Sequence, residues 1–518
     1  AEIRGEKAEG IFEKRYGYDP VTGNSAMPAP KDPGNGEGFK YSDLVSYANA
    51  MDQLSGQEIE ENRFASFYGA LDYSLFDRYV LNVSFRTDGS NNFGSDEQFN
   101  PTWSAGAVWH VSEETFMEVV RPVLSRLSLR VATGYTGNIN KTVKPNLMMK
   151  YYKNFRISDD ENYRMGYINN APNPKLRWEK TRDVKVALDF GLWKDRINGI
   201  VEAYWRKSKD CVTSEYVPVT TGFFNQSYNT SVLQNNGVEF SLSVAVLKSK
   251  DYNLSVSANV AWNQNKLKKY NSPNTSLALD KYVGYPMGAV FSGKYEGIDP
   301  ETGMYKFKLR PDAVTNKDGY LREPNNYYYY LGTSVAPFTG GFNLNFSYKN
   351  IGLSVGGSYS VKAKMVDNIE SPAGYELLSG SKLESIPTPH NDLYRNHLNV
   401  KREVRNRWTP ENRTGVKYPR LIDAYGKKLG LDLTNPTLTT ITRGALLEDI
   451  SYLRINTIAL SYSLPQRVLE RINFSSAALN LTLNNFFTIT KYSGIDPEVP
   501  GATYPVSRSV TIGLNVGF

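Results

Sequence analysis

The sequence predicts an all-β protein, a transmembrane antiparallel β-barrel with short periplasmic turns and long extracellular loops. Three observations predict it. Apolar and polar residues alternate strictly through many segments of bilayer-crossing length. Tight and long connections between those segments alternate as well. No stretch approaches the ~18 unbroken apolar residues that a membrane helix requires, which leaves any crossing to strands.

The alternation is plainest at the end of the chain, SVTIGLNVGF. Val510, Ile512, Leu514, Val516 and Phe518 share one face, and Ser509, Thr511, Gly513, Asn515 and Gly517 the other. VLNVSFR sets Leu81, Val83 and Phe85 against Asn82, Ser84 and Arg86. WSAGAVWHV sets Trp103, Ala105, Ala107 and Trp109 against Ser104, Gly106 and His110, and LSLRVATGY sets Leu129, Val131 and Tyr135 against Ser128, Arg130 and Gly134. VKVALDF, VEFSLSV, LSVSANVAW, FNLNFSY, LSVGGSY, INTIALSYS and LNLTLN repeat the pattern. About 14 such strands result, most near the ~10 residues that cross a bilayer at a tilt. The polar faces are rich in Ser, Asn, Gly, Asp and Arg. No Lys or Arg occupies a central position of the apolar faces, where lipid would make it cost about 2–4 kcal/mol.

The connections separate a barrel from a soluble sandwich. Tight joins fall at 75–79, 193–197, 248–252 and 348–351. Long ones span roughly 15–60, 138–175, 267–337 and 365–445, with shorter ones near 89–99, 213–230 and 489–504. The two kinds alternate throughout once VSEETFMEVVRP counts as a compact helical turn. Trp193 at a tight turn, and Tyr135 and Trp262 near the opposite strand ends, suit the aromatic girdles of the two interfaces.

Composition is compatible. The 518 residues include 41 Gly, 36 Tyr and 23 Phe, favouring β structure with many turns. A mean hydropathy of -0.46 looks soluble, yet a barrel strand needs only one apolar face and long polar loops lower the average further. The single cysteine, Cys211, excludes an internal disulfide framework and a cysteine-based metal site. A formal charge of +7, from 60 basic and 53 acidic residues, is mild for this length and gives no nucleic-acid footprint. AEIRGEKAEGIFEK lacks the apolar core of a signal peptide, so the chain is expected to follow a removed leader or to begin inside a longer polypeptide.

No enzyme is expected, and neither a cofactor nor a metal. His110, His390 and His397 are far apart or, with Asp392, share a loop lacking metal-ligand spacing. No G-x-S-x-G, P-loop or dinucleotide fingerprint occurs. SDDEN at 158–162 lacks the glycine and terminal glutamate of a calcium loop. The D-P-x-T-G stretches at 19–23 and 299–303 are turn chemistry, with Pro fixing φ and Gly taking the left-handed position. Binding by loops remains. Tyr327, Tyr328, Tyr329 and Tyr330, Phe223 and Phe224, and Tyr151 and Tyr152 fall where loops face outward. Flat rings there suit the apolar faces of sugars, and also peptides; self-packing or contact with a lid protein competes. The tyrosine run also fits the upper end of the strand continuing through YLGTSVAPFTGGFNLNF.

Several segments, in this order and spacing, resemble the SusC/RagA type of TonB-dependent outer-membrane transporter found in Bacteroidetes-like bacteria. They are FRTDGSNNFG (85–94), WSAGAVWHVSEETFM (103–117), LRVATGYTGN (129–138) and NPKLRWEKTRDVKVALDFGLWKDRINGIVEAYWRKSKD (173–210). QNNGVEFSLS (234–243), KYEGIDPETG (294–303), RWTPENRTG (407–415), YLRINTIALSYSLP (452–465) and NNFFTITKYSGIDPEV (484–499) follow. The resemblance implies a barrel of about 22 strands filled by an N-terminal plug. Residues 1–518 would be its C-terminal part, with the plug, the TonB-binding segment and about eight strands outside this chain. It implies TonB-dependent import of oligosaccharides or peptides across the bacterial outer membrane, with a SusD-like lipoprotein lid and the TonB complex as partners. Phe518, Val516 and Gly513 would belong to the signal read by the barrel-assembly machinery. A passive porin-like channel formed by this chain alone, or a surface binding protein without transport, are the alternatives. An open sheet of about 14 strands would leave two unpaired edges in lipid, so closure or completion is required.

Overall fold

A computed structural model of the chain describes residues 1–13, 55–140, 143–153, 164–223, 225–270, 282–301, 303, 305–313, 327–366, 406–416, 443–500, 502 and 504–518. Fourteen of its strands form one antiparallel sheet in which each strand pairs with the next of the set along the chain. In chain order the strands begin with β1 (Glu2–Glu13), β2 (Ser55–Leu75), β3 (Tyr79–Ser90), β4 (Phe99–His110) and β5 (Leu124–Asn138). A small pair, β6 (Met148–Lys153) and β7 (Arg164–Asn170), follows, and the sheet resumes with β8 (Glu179–Leu192), β9 (Ile197–Tyr216), β10 (Asn225–Lys248) and β11 (Tyr252–Lys269). The next connection holds β12 (Ala289–Gly293), β13 (Tyr295–Ile298), β14 (Tyr305–Phe307) and β15 (Tyr328–Thr333), paired as β12–β15 and β13–β14. The sheet continues with β16 (Phe338–Tyr348) and β17 (Ile351–Val361), leaves for the pair β18 (Lys364–Val366) and β19 (Leu447–Asp449), and ends with β20 (Tyr452–Ser463), β21 (Ser476–Thr490) and β22 (Ser509–Gly517).

All four two-stranded sheets belong to connections at one end of the large sheet; the tight joins gather at the other. Those turns twist through left-handed backbone: Phe76 and Asp77 have φ of 53° and 55°, and Trp193, Lys194 and Asp195 have 50°, 58° and 59°. The β4–β5 join is the compact helical turn expected, two 3-10 segments at Val111–Glu113 and Thr115–Met117. Between them the Glu114 carboxylate accepts from Tyr79 Oη at 2.5 Å, Trp109 Nε1 at 3.1 Å and Arg78 at 3.3 Å. Those donors, Tyr79 first, hold its carboxyl below the usual range. The β20–β21 join carries a helix, Gln466–Arg471, that alternation could not reveal; Pro465 just before it is the local signal. No described helix is long and apolar enough to cross a membrane.

Register keeps every second residue on the same face across the sheet. The apolar face is bare: Leu71, Leu514 and Ile512 are 61%, 68% and 72% exposed. No soluble monomer leaves an apolar area of this extent to water, whereas lipid covers it. Phe518 lies at the end of the same face, its ring edge-on to Phe474 at 5.1 Å. Buried apolar side chains gather instead under the long connections, as in the cluster of Ala363, Ile450 and Tyr492 and the stack of Phe93 on Trp178 at 4.6 Å.

One ionic contact seats the last long connection. Arg454, near the start of β20, is 2% exposed and donates to Asp496 of the β21–β22 connection and, at 2.9 Å, to Glu498. Burial pushes the Asp496 carboxyl up. The backbone N–H groups of Glu498 and Val506 and the Arg454 guanidinium more than offset that, holding it below the ordinary carboxylate range. Breaking such a pair by removing one partner strands a buried charge and destabilises by about 3–5 kcal/mol. Arg454→Ala is therefore expected to open the 491–508 segment to limited proteolysis while the sheet stays intact. Because the folded pKa of Asp496 is depressed, its stabilisation is complete above the unfolded value of about 3.9 and disappears as pH falls through the folded one. Cleavage within 491–508, followed across an acid titration, should rise below about pH 4 in the wild type and lose that step in Arg454→Ala.

Candidate functional site

The polar face and the platform of long connections are the surfaces able to meet a solute. On the polar face of β2 to β10, charges pair along and across strands. Arg86 meets Asp88 of the same strand at 2.7 Å. Across strands Arg130 meets Asp189 at 2.5 Å, Arg206 meets Asp183 at 2.7 Å, and Lys185 meets Glu202 at 3.4 Å. Strand pairing explains the arrangement: Ser128 sits opposite Asp189, and Ala187 separates Arg130 from Glu202 in one cross-strand row. From β11 to β22 the same face changes character. Its rows read Ser257–Asn343–Gly356 and Asn253–Ser347–Gly352–Ser461–Asn480–Gly513. Amides and hydroxyls bond one another there, Ser354 to Asn345 at 2.8 Å, Thr457 to Asn484 at 3.1 Å and Asn484 to Ser509 at 3.0 Å. Arg454 is the charged exception on those rows, and its carboxylate partners engage it.

The platform is built on β12–β15. Tyr285 and Phe291 cross edge-on at 4.9 Å, Tyr282 and Phe291 at 4.7 Å, and Tyr330 lies 4.9 Å from Tyr285 and 5.7 Å from Phe291. Tyr329 Oη donates to the Leu309 carbonyl at 2.8 Å. Trp408 Nε1 donates to the Pro300 carbonyl at 2.9 Å, tying the segment 406–416 to the β13–β14 turn. That turn closes as its D-P-x-T-G sequence requires, with Gly303 at φ 69° and its N–H on the Asp299 carbonyl at 2.8 Å. The segment before β19 lies tight against β12: a Cβ at Gly444 would come within 1.8 Å of the Gly293 carbonyl oxygen.

The expected aromatic contacts occupy three separate connections. Tyr328, Tyr329 and Tyr330 form β15, with Tyr327 just before it, so the run is a strand, though of the platform and not the upper end of β16. Tyr330 remains 41% exposed at the edge of its cluster, able to offer a ring outward. Phe223 follows the left-handed Gly222 in the β9–β10 connection, and Phe224 lies outside the described residues. Tyr151 and Tyr152 lie on β6, opposite Gly166 and Met165 of β7. Val516 and Gly513 pair with Ala477 and Asn480 on the final hairpin. His110 bonds Ser128 at 3.0 Å on the polar face, whereas His390, His397, Asp392, the 158–162 stretch and the 19–23 turn lie outside the described residues. No cluster of metal-ligating residues occurs among the described residues. Tyr282, Tyr285, Phe291, Trp408 and the Arg454–Asp496 contact were not singled out in the sequence. The available signal was an arginine in a polar-face position of LRINT followed later by GIDPEV.

Comparison with known proteins matches this architecture. The sequence pattern of the family described as "TonB dependent receptor-like, beta-barrel" fits residues 12–379. The chain is 27% identical over 488 residues to the TonB-dependent receptor SusC of Bacteroides thetaiotaomicron, covering 88% of this chain and 44% of SusC. It is 26% identical over 498 residues to the TonB-dependent receptor P26 of Formosa agariphila, covering 88% of this chain and 46% of that protein. Among solved structures, the RagAB peptide transporter superposes with a TM-score of 0.71 at 26% identity, over 90% of this chain and 49% of the transporter chain. The chain thus spans about half the length of the relatives it matches. With its sheet, its sorted connections and a sequence match across most of its length, this chain belongs to the TonB-dependent-receptor-like β-barrel family of the bacterial outer membrane.

Proposed function

We propose that this chain is the C-terminal wall of a larger transporter that imports oligosaccharides or peptides through the outer membrane under TonB control. Its N-terminal plug and first strands would lie outside residues 1–518, and a SusD-like lipoprotein would close over the long connections as a lid. The observation that carries this reading is the pair of open edges. β1 pairs with β2 and β22 with β21, while β1 and β22 do not pair with each other. Backbone groups left bare in lipid cost several kcal/mol each, which favours a ring completed by further strands. The similarity to SusC and to the RagAB peptide transporter supports an import role, and the platform supplies rings suited to either kind of solute. The platform and the tied segments 406–416 and 443–449 offer a shaped surface for a lid.

Two measurements test the proposal. The denatured mass of the native polypeptide, extracted from outer membranes, should lie far above 58.3 kDa, with room for a plug and the remaining strands. A mass of 58.3 kDa would leave a passive channel in its place. Accumulation of labelled oligosaccharide and peptide mixtures by intact cells should stop when TonB is deleted; unchanged accumulation would contradict energy coupling.

A further inference from the structure

The polar wall is divided, and the division assigns it two jobs. From β2 to β10 the charges described above form a lattice across the strands, and it is incomplete in two places. Glu239 on β10 stands directly opposite Glu202 on β9, and like charges in that relation repel. Asp183 gives one carboxylate oxygen to Arg206, while its other oxygen, Oδ1, is buried with no hydrogen-bond partner. A buried carboxylate oxygen without a donor is costly, so this wall is built to be met by a fixed occupant that carries donors or cations. From β11 to β22 the wall offers hydroxyls, amides and glycines, and it is scalloped. One concavity of about 400 Å³ is lined by Asn253, Asn345, Ser354 and Asn480. Another of about 430 Å³ lies at the seam of the two walls, where Ser257, Asn259 and Asn343 face Asn198, Ser241 and Arg126 of the earlier strands.

We infer that the β11–β22 wall is the path along which solute passes, that its solute is uncharged and hydroxyl-rich, such as a neutral oligosaccharide, and that the β2–β10 wall holds the plug. This rests on the transporter reading above. Transit needs binding strong enough to admit a solute and weak, repeated enough to release it. Ser, Thr and Asn both donate and accept, so a hydroxylated chain can exchange one partner for the next along Asn253, Asn345, Ser354 and Asn480 without meeting a fixed charge. An ion-paired wall would instead grip charged groups, as a stationary domain requires. Solutes carrying net charge gain no counter-charge on the β11–β22 wall and lose solvation on entering it.

Single cysteines in the full-length transporter, with Cys211 replaced by serine, test the assignment in intact cells. Ser354→Cys and Thr482→Cys mark the uncharged wall; Ala132→Cys and Ser104→Cys mark the ion-paired wall and spare its charges. A neutral maleimide of disaccharide size should react several-fold faster at the first two sites than at the second two. At the first two sites it should also outpace a sulfonated maleimide of the same size. Equal rates at both walls, or faster reaction at Ala132→Cys and Ser104→Cys, would overturn the path; equal rates for the two reagents would overturn the neutral-solute assignment. The same rates measured in cells lacking TonB keep the two claims apart. A difference between walls that persists there upholds the path independently of energy coupling, whereas a difference seen only in cells with TonB upholds both.

Discussion

A polypeptide in hydrocarbon has no water to satisfy its backbone, and every peptide group must find its partner within the protein. The large sheet answers that constraint in the simplest order available. Each of its strands bonds to the next member of the set, so the ladder runs without a crossover from β1 to β22. Up-and-down order in turn forces the joins to alternate between two ends. It places the short left-handed turns on one side of the membrane and the small two-stranded sheets on the other. The two faces follow as well, because a period of two leaves no third direction for a side chain.

What the constraint leaves free is the chemistry of the inner face, and there the chain is uneven. Apart from Arg454, the paired guanidinium and carboxylate groups of that face lie on the earlier strands, where neighbours neutralise one another. Amides and hydroxyls take over later, and small residues keep that surface hollow. The outer connections obey a different rule. They are ordinary aqueous protein, with edge-on aromatic rings, an indole bonded to a carbonyl and a buried ion pair. The molecule thus carries its apolar surface outward in the membrane and inward above it.

The sheet was legible because alternation is a strong signal wherever one face meets lipid. SVTIGLNVGF, VLNVSFR and LNLTLN all lie in the strands their pattern implies. The tight joins and the helical turn after β4 were legible for the same reason, since alternation stops there abruptly. The helix at Gln466–Arg471 was not, because six residues give too little periodicity to register. Nor was the platform. Tyr327 to Tyr330 stood out as a cluster, but the ring partners of Tyr330, Tyr285 and Phe291, lie roughly forty residues away, a distance no local pattern spans. Arg454 was hidden by its own regularity: it occupies a proper polar-face position, and only the return of Asp496 makes it buried.

Strand length has a mechanical side. β9 holds 20 residues and β10 holds 24, whereas about ten suffice to cross the bilayer. At ~3.4 Å per residue the surplus in β10 amounts to roughly 48 Å of paired strand beyond the hydrocarbon, with register shifts between Asn229 and Leu233. A hydrogen-bonded ribbon of that length is a stiff beam rooted in the wall. A load applied at its tip therefore reaches the membrane-embedded rows as a bending moment. In this molecule the inner face and the outer rim are parts of one lever.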